Sequence, residues 1–311
     1  MTRVFIDGSS GTTGLRIHQR LREREDIDLV VLPAADRRNP AERRRVMNSA
    51  DVVFLCLPDD AAREAVPMVE SEHTVVIDTS TAHRTDERFT YGFAELTGRR
   101  ERIAASRRIA NPGCHASGFI ALVAPLVEVG LLSAESLLTC FSLTGYSGGG
   151  KKMIAEYESG ERSLLDAPRQ YALGQRHKHL PEMVRECGLR QLPAFCPIVA
   201  PYFSGMEVTV PVFSGQLRGT IEDARSALAS YYADAKLIRY VESPDEQGFL
   251  SAGALAGRDD MQVSVMGNDE RILLVSRFDN LGKGASGAAI QNMNIALGLD
   301  ETIGLSLEDK K

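Results

Sequence analysis

Apolar positions follow one rhythm over roughly the first 110 residues. Short apolar runs alternate there with amphipathic stretches rich in Arg and Glu. Val4-Phe5-Ile6 is a short buried strand that ends in glycines, and Leu15 to Glu25 has a helical pattern. Asp28 to Leu32 is apolar again until Pro33 stops it, and Pro40 starts a helical run to about Ala50. Asp51 to Leu57 is a continuous apolar run closed by Pro58. Its length, its bounding turn residues and its β-branched content predict a strand buried on both faces. Asp59 caps a helix through about Glu70, and Thr74 to Asp78 is the next strand. This β-α-β-α-β order predicts a parallel, doubly wound sheet with right-handed crossovers.

The rhythm changes in the second half. Ser136 to Leu143, Phe195 to Ala200, Met206 to Phe213, Gln262 to Met266 and Arg271 to Phe278 read as strands. Pro201 to Gly205 and Gly267 to Glu270 are short enough for hairpin turns. A helix over Thr220 to Ala235 sits among these strands, and a last helix over about Ala285 to Leu297 follows a glycine-rich loop. The expected sheet is mostly antiparallel, in an α+β domain. Ser306 to Lys311 is charged and expected to fray. There is no internal repeat or low-complexity segment.

The chain of 311 residues is 43% hydrophobic and 25% charged, the usual mix of a water-soluble globular protein. At about 150 residues per domain its length suits two domains. Against 36 Lys and Arg stand 42 Asp and Glu, a net charge of −6, which argues against a sequence-independent nucleic-acid partner. The most apolar stretch, Phe119 to Leu132, is too short to span a bilayer and carries Glu128, so no membrane partner is expected. The N-terminus reads as a strand entering a glycine loop rather than as a signal peptide. Five cysteines without CxxC spacing argue against a disulfide framework or a zinc site. A reducing, cytoplasmic setting follows.

Gly8-Ser-Ser10-Gly11-Thr12-Thr13-Gly14 follows the first strand and opens a helix. Glycines let the backbone turn and approach a pyrophosphate, and the helix N-terminus offers free N–H groups and a favourable dipole. In this β-α-β context the loop points to a Rossmann-type cofactor domain. The end of the second strand carries Leu32-Pro33-Ala34-Ala35 where NAD sites place an acid, and Arg37 and Arg38 follow. Arginine there accommodates a 2′-phosphate, which favours NADP(H).

Ala110-Asn111-Pro112-Gly113-Cys114-His115-Ala116-Ser117-Gly118 carries the most chemistry. Cys114 stands at or near the first turn of a helix, where the dipole favours a thiolate. A thiolate is the nucleophile that takes an acyl group from an activated ester or anhydride. Cys56 and Cys140 lie in apolar strands and read as core. His177, His179 and Glu182 fall within six residues, before a short helix that has Pro181 in its first turn. An imidazole can move a proton near neutrality and a carboxylate can fix its tautomer. A metal reading lacks a further ligand, so no metal is expected. Tyr146-Ser-Gly-Gly-Gly150 reads as a turn or a loop that closes over substrate.

The sequence resembles the short form of the N-acetyl-γ-glutamyl-phosphate reductase family of arginine biosynthesis. Asn111-Pro-Gly-Cys114 with Gly118 and Pro125 is similar to its active-site signature. Asp78-Thr-Ser80 with Arg84, Tyr91-Gly-Phe-Ala-Glu95, His177-Lys-His179-Leu-Pro181-Glu182 and the segment from Asp279 to Asn294 resemble further motifs, in family order. His115 departs from the aromatic residue usual there, and Ser117 replaces a threonine.

The resemblance implies a semialdehyde-dehydrogenase-like architecture. Residues 1–113, completed by the C-terminal helix at about 283–311, would bind NADP(H), and residues 114–282 would form the catalytic and dimerisation domain. It implies NADPH-dependent reduction of an acyl phosphate to an aldehyde through a Cys114 thioester, with a proton from His177 or His179. The substrate's phosphate and carboxylates need partners: Arg84 first, then Arg176, Asn111 and Ser117, with Lys178 a further candidate and Lys151 and Lys152 read as surface charges. Asn280 and Lys283 would return to the cofactor. A homodimer or homotetramer is implied. Competing readings are an aspartate-semialdehyde dehydrogenase, a reductase of a longer or carrier-bound acyl phosphate, and an NADP-binding redox sensor that uses Cys114 as a regulatory thiol.

Overall fold

The computed structural model describes residues 1–9, 11–160 and 163–307. The chain divides into two compact units. The first comprises Met1–Pro112 and Ala285–Leu305, the second Gly113–Gly284 with Ser306–Lys311. Ser10 and Glu308 to Lys311 lie outside the described residues.

The first unit runs β1 (Thr2–Asp7), α1 (Thr12–Arg22), β2 (Ile27–Val30), α2 (Pro40–Ser49), β3 (Val52–Leu55), α3 (Asp59–Ala65), β4 (Val75–Asp78), β5 (Thr90–Tyr91), α4 (Arg99–Ala105) and β6 (Arg108–Ala110). Its sheet is wholly parallel, in the order β2-β1-β3-β4-β6-β5. The period of two along each strand feeds two cores. Val4, Ile6, Val52, Phe54, Val75 and Ile77 pack with Ile17 and Leu21 of α1 and with Ile290 and Met293 of the C-terminal helix Gly287–Ala296. Phe5, Val53, Leu55 and Val76 face the other way, against Val46 and Met47 of α2 and Ala65 of α3. Burial on both faces is why these strands read as unbroken apolar runs.

The second unit runs α5 (Cys114–Glu128), β7 (Thr139–Gly145), α6 (Gly150–Glu158), β8 (Arg169–Gln170), α7 (Leu180–Cys187), β9 (Ala194–Ala200), β10 (Met206–Phe213), α8 (Ile221–Tyr231), β11 (Ile238–Tyr240), β12 (Met261–Gly267) and β13 (Arg271–Phe278). The sheet order is β11-β12-β13-β10-β7-β9-β8. Four of its pairings are antiparallel, while β11–β12 and β7–β9 are parallel. Gly267–Glu270 joins the antiparallel pair β12 and β13, as the spacing predicts. Pro201–Gly205 is not a hairpin. β7 lies between β9 and β10, because β7 pairs with both. Tyr146–Gly149 is a 3₁₀ turn that leads directly into α6.

Helix α5 is apolar on nearly every side, the signature of a helix inside a core. It lies so close to the sheet that a Cβ on Gly118 would come within 2.4 Å of Val208 Cγ2. Pro125 lacks an N–H, which would leave the Ala121 carbonyl without its helical donor. The Tyr232 hydroxyl donates to that carbonyl at 2.7 Å. Helix α5 therefore tolerates an internal proline without leaving a buried acceptor unpaired.

Candidate functional site

In the first unit the glycine loop sets up an anion cradle. Gly8 has a φ of +86°, and a Cβ there would lie 2.2 Å from the Cys56 carbonyl oxygen. A Cβ on Gly14 would lie 2.6 Å from the Gly8 carbonyl oxygen. The fold alone therefore demands glycine at 8 and 14. Gly11 differs: its Cβ would meet nothing closer than 3.5 Å. Gly11 caps α1, which has no acidic residue in its first turn and no side-chain cap. The Thr12 hydroxyl is buried with no hydrogen-bond partner among the described residues. Helix N–H groups without a side-chain cap, an unspent hydroxyl and a glycine at 11 that the fold itself does not require fit a pyrophosphate.

Beside this loop is a cavity of about 550 Å³ lined by Asp7, Gly8, Ser9, His18, Leu32, Ala34, Arg37 and Arg38 among others. Arg37 Nε donates to the Leu32 carbonyl at 3.3 Å, which holds the arginine segment against the end of β2. Asp7 is buried, and burial raises its pKa against the opposing pull of the Arg43 guanidinium, 2.6 Å away. The structure thus brings Arg37 and Arg38 to one cavity with the glycine loop. The sequence pattern gave no sign of His18, whose position on α1 reads as an ordinary surface site.

Arg84 and Asn111, expected at substrate, have partners inside the first unit. Arg84 is 8% exposed, with Nε donating to the Asn111 carbonyl at 2.8 Å and Nη2 to the Thr79 carbonyl at 3.1 Å. Asn111 Nδ2 donates to the Ala285 carbonyl at 3.0 Å, and its Oδ1 accepts from Asn292 at 3.1 Å. These bonds fix the chain where it leaves β6. In the neighbouring Asp78 motif, His83 Nδ1 lies 2.6 Å from Asp78 Oδ2, with the ring stacked on Phe89.

The second unit builds the thiol site. Cys114 is the first residue of α5 and partly exposed, and Gly113 is the N-cap. The Gly113 N–H donates to Glu182 Oε2 at 3.0 Å, and Ser117 Oγ donates to the Gly113 carbonyl at 3.0 Å. Glu182 is 1% exposed, and its Oε1 lies 4.0 Å from His179 Nε2. One carboxylate thus spans the turn that presents Cys114 and the ring of His179. The His179 N–H donates to His177 Nδ1 at 3.2 Å, so a neutral His177 carries its proton on Nε2. The His177 and His179 rings lie 4.7 Å apart. Arg176 is exposed.

Three further residues join this cluster. His115 is buried. Its Nδ1 lies 2.6 Å from Ser142 Oγ and its Nε2 2.6 Å from the Tyr171 hydroxyl. Burial, and then the charge of His177, pull the His115 imidazole down to about 3, so it is uncharged at neutral pH. Burial raises the Tyr171 phenol, and the nearby Cys114 thiolate raises it further. The loop that carries Tyr171 and the two histidines is strained, with Ala172 and Gln175 at φ near +50°. The Gln175 amide clasps the Phe195 backbone with bonds of 2.7 and 2.8 Å, which offsets that strain.

The segment after β13 closes over the thiol. Asp279 Oδ1 accepts from the Leu281 and Gly282 N–H groups at 2.7 and 2.8 Å. A Cβ on Gly284 would approach Cys114 Cβ to 2.9 Å. Asn280 is buried between the Gly205 N–H and the Ser147 hydroxyl, and Lys283 is 1% exposed.

Two family models match the chain. The semialdehyde dehydrogenase NAD binding domain matches residues 3–106, and the semialdehyde dehydrogenase dimerisation domain matches residues 114–280. N-acetyl-gamma-glutamyl-phosphate reductase 2 of Nostoc sp. is 44% identical, over 97% of this chain and 99% of its own length. The N-acetyl-gamma-glutamyl-phosphate reductase of Brucella anthropi is 45% identical, over 95% and 98%. Among solved structures, aspartate semialdehyde dehydrogenase II of Vibrio cholerae superposes with a TM-score of 0.72 at 18% identity, over 96% of this chain and 98% of that one. At that identity the superposition speaks for the fold alone. Matches at this level over nearly the whole length place the chain in the N-acetyl-γ-glutamyl-phosphate reductase family of semialdehyde dehydrogenases.

Proposed function

We propose that the chain reduces N-acetyl-L-glutamyl 5-phosphate to N-acetyl-L-glutamate 5-semialdehyde, with NADPH as reductant and release of phosphate, in arginine biosynthesis. The observation that carries this reading is Cys114 at the first turn of α5, whose cap Gly113 shares the Glu182 carboxylate with His179, in a chain alike in length and sequence to reductases of that name. Glu182 beside His179 favours His179 over His177 as the proton carrier. His179 takes the thiol proton as Cys114 sulfur bonds the acyl carbon, and that proton leaves with the phosphate. NADPH, when bound, supplies the hydride that reduces the acyl carbon. Gly8, Gly11, Thr12, Thr13 and Gly14 would hold its pyrophosphate, and Arg37 and Arg38 its 2′-phosphate. Cleavage of the carbon–sulfur bond frees the aldehyde and the Cys114 thiolate, and one proton taken up from solvent through His179 regenerates the thiol for the next turnover. Helix N–H groups at the start of α5 stabilise the oxygen charge along the way.

The experiment is to trap the acyl-enzyme. Mixed with the acyl phosphate without NADPH, the wild-type chain gains the mass of one acyl group and releases one phosphate. The Cys114→Ala variant gains nothing and still binds NADPH. Acylation of Cys114→Ala to the wild-type extent would contradict the thioester.

The chain carries a dimerisation domain, and we place its self-contact on the sheet face opposite α5. Phe141 and Leu273 are 41% and 39% exposed there, and Thr209 pairs with Phe141 while Pro211 pairs with Leu273. Among the described residues no helix is long and apolar enough to cross a membrane. Five free thiols suit the cytoplasm, where we place the protein.

A further inference from the structure

We propose that His115 is a positioning residue: anchored by Ser142, it gives a hydrogen bond to Tyr171 and so leaves the phenol's own O–H for the substrate at Cys114. This assignment rests on the reductase reading above. The argument is one of proton counting. A neutral imidazole has one N–H and one lone pair, so it donates to one neighbour and accepts from the other. Its two neighbours are Ser142 Oγ and the Tyr171 hydroxyl, each 2.6 Å away. Ser142 is fully buried and its hydroxyl has no other hydrogen-bond partner among the described residues. If His115 Nδ1 carried the proton, the Ser142 hydroxyl would have nowhere to donate, and a buried unmet donor is costly. The Ser142 proton therefore goes to Nδ1, and Nε2–H donates to the Tyr171 oxygen. The Tyr171 O–H is then not spent on His115.

The surroundings keep this polarity. His115 sits on α5 immediately after Cys114, and Ser142 sits on β7, so two core elements hold the ring. Phe195 and the rings of His177 and His179 pack around it at 5.4 to 5.6 Å between centroids. Uncharged at working pH, His115 cannot donate from both nitrogens. Tyr171 is only half-buried, and its hydroxyl lies 2.6 Å from the ring of His115, the residue next to Cys114. A phenol O–H at that place can meet the acyl oxygen as negative charge develops on it.

A double-mutant cycle on the full-length enzyme tests the assignment. His115→Met fills the volume without the hydrogen bonds. His115→Gln keeps an N–H donor toward Tyr171. Tyr171→Phe removes the phenol. Removing an oxyanion donor costs about 100- to 1000-fold, and misplacing one costs less, so His115→Met is expected to lower kcat/KM by about 10- to 100-fold. NADPH affinity stays at the wild-type value, and His115→Gln recovers most of the loss. In the Tyr171→Phe background His115→Met causes no further loss, because its effect passes through the phenol. If His115→Met does not fold, Ser142→Ala takes its place in the cycle with a several-fold loss that also vanishes in Tyr171→Phe. Losses that multiply, or a Gln variant as poor as the Met variant, overturn the role of His115 and leave the reductase reading intact. No wild-type turnover with the acyl phosphate overturns both.

Discussion

Gly8 and Gly11 differ in what asks for glycine: the fold at Gly8, the proposed cofactor at Gly11. Gly8 is fixed by its backbone, with φ +86° and a carbonyl 2.2 Å from any Cβ. Gly8→Ala is expected to cost about 2–3 kcal/mol of stability in denaturant unfolding. Gly11→Ala makes only ordinary contacts, none closer than 3.5 Å, and loses little as an N-cap, under about 1 kcal/mol. It is nevertheless expected to weaken NADPH binding about ten-fold or more by fluorescence titration, equivalent to about 1.4 kcal/mol. NADPH affinity unchanged in Gly11→Ala would remove the glycine loop from the cofactor site. Residues of this kind are legible in sequence because the motif is local. His177, His179 and Glu182 stand within six residues of one another, and Cys114 is marked by its own loop from Asn111 to Gly118. Ser142 and Tyr171 are not. They reach His115 from positions 27 and 56 residues away, and a lone serine in a strand carries no signal. Tyr171, six residues before His177 in one loop, is the member that proximity in sequence could have flagged.

Elements were legible where burial is one-sided or complete. The strands β1, β3 and β4 are uninterrupted apolar runs because both faces are covered. β10, β12 and β13 appear as alternating or continuous apolar stretches of full length. Short edge elements such as β5, β8 and β11 are too brief for any period to emerge. The turn between β9 and β10 misled because loop length does not say which strands pair. A parallel strand, β7, lies between them. Helix α5 shows why a proline does not always end a helix. The Tyr232 hydroxyl answers the Ala121 carbonyl that Pro125 frees. Tyr232→Phe is expected to destabilise the second unit by about 1–2 kcal/mol in denaturant unfolding, while NADPH affinity is untouched. A variant as stable as the wild type would mean that the freed carbonyl finds another donor.

At the scale of the whole molecule, the proposed reaction divides its chemistry between the two units: the first carries the glycine loop and the arginine-lined cavity, the second Cys114 and the histidine proposed as its proton carrier. Hydrophobic patterning changes in kind after roughly the first 110 residues, and the C-terminal helix Gly287–Ala296 belongs with the first unit. Assembly was legible only as an implication of family likeness, since pattern alone does not say what covers an exposed sheet face. Phe141→Glu places a charge on that face and is expected to lower the oligomeric state in light scattering coupled to gel filtration. An unchanged mass would move the contact elsewhere.

The reaction itself is most directly read in reverse. Enzyme is mixed with NADP⁺, phosphate and N-acetylglutamate 5-semialdehyde, and NADPH formation is followed, with aspartate semialdehyde run in parallel. Formation of NADPH that requires phosphate and the acetylated aldehyde, and that vanishes in Cys114→Ala, is the expected result. Turnover with aspartate semialdehyde alone would contradict the proposed substrate, and turnover that ignores phosphate would contradict the acyl-phosphate chemistry.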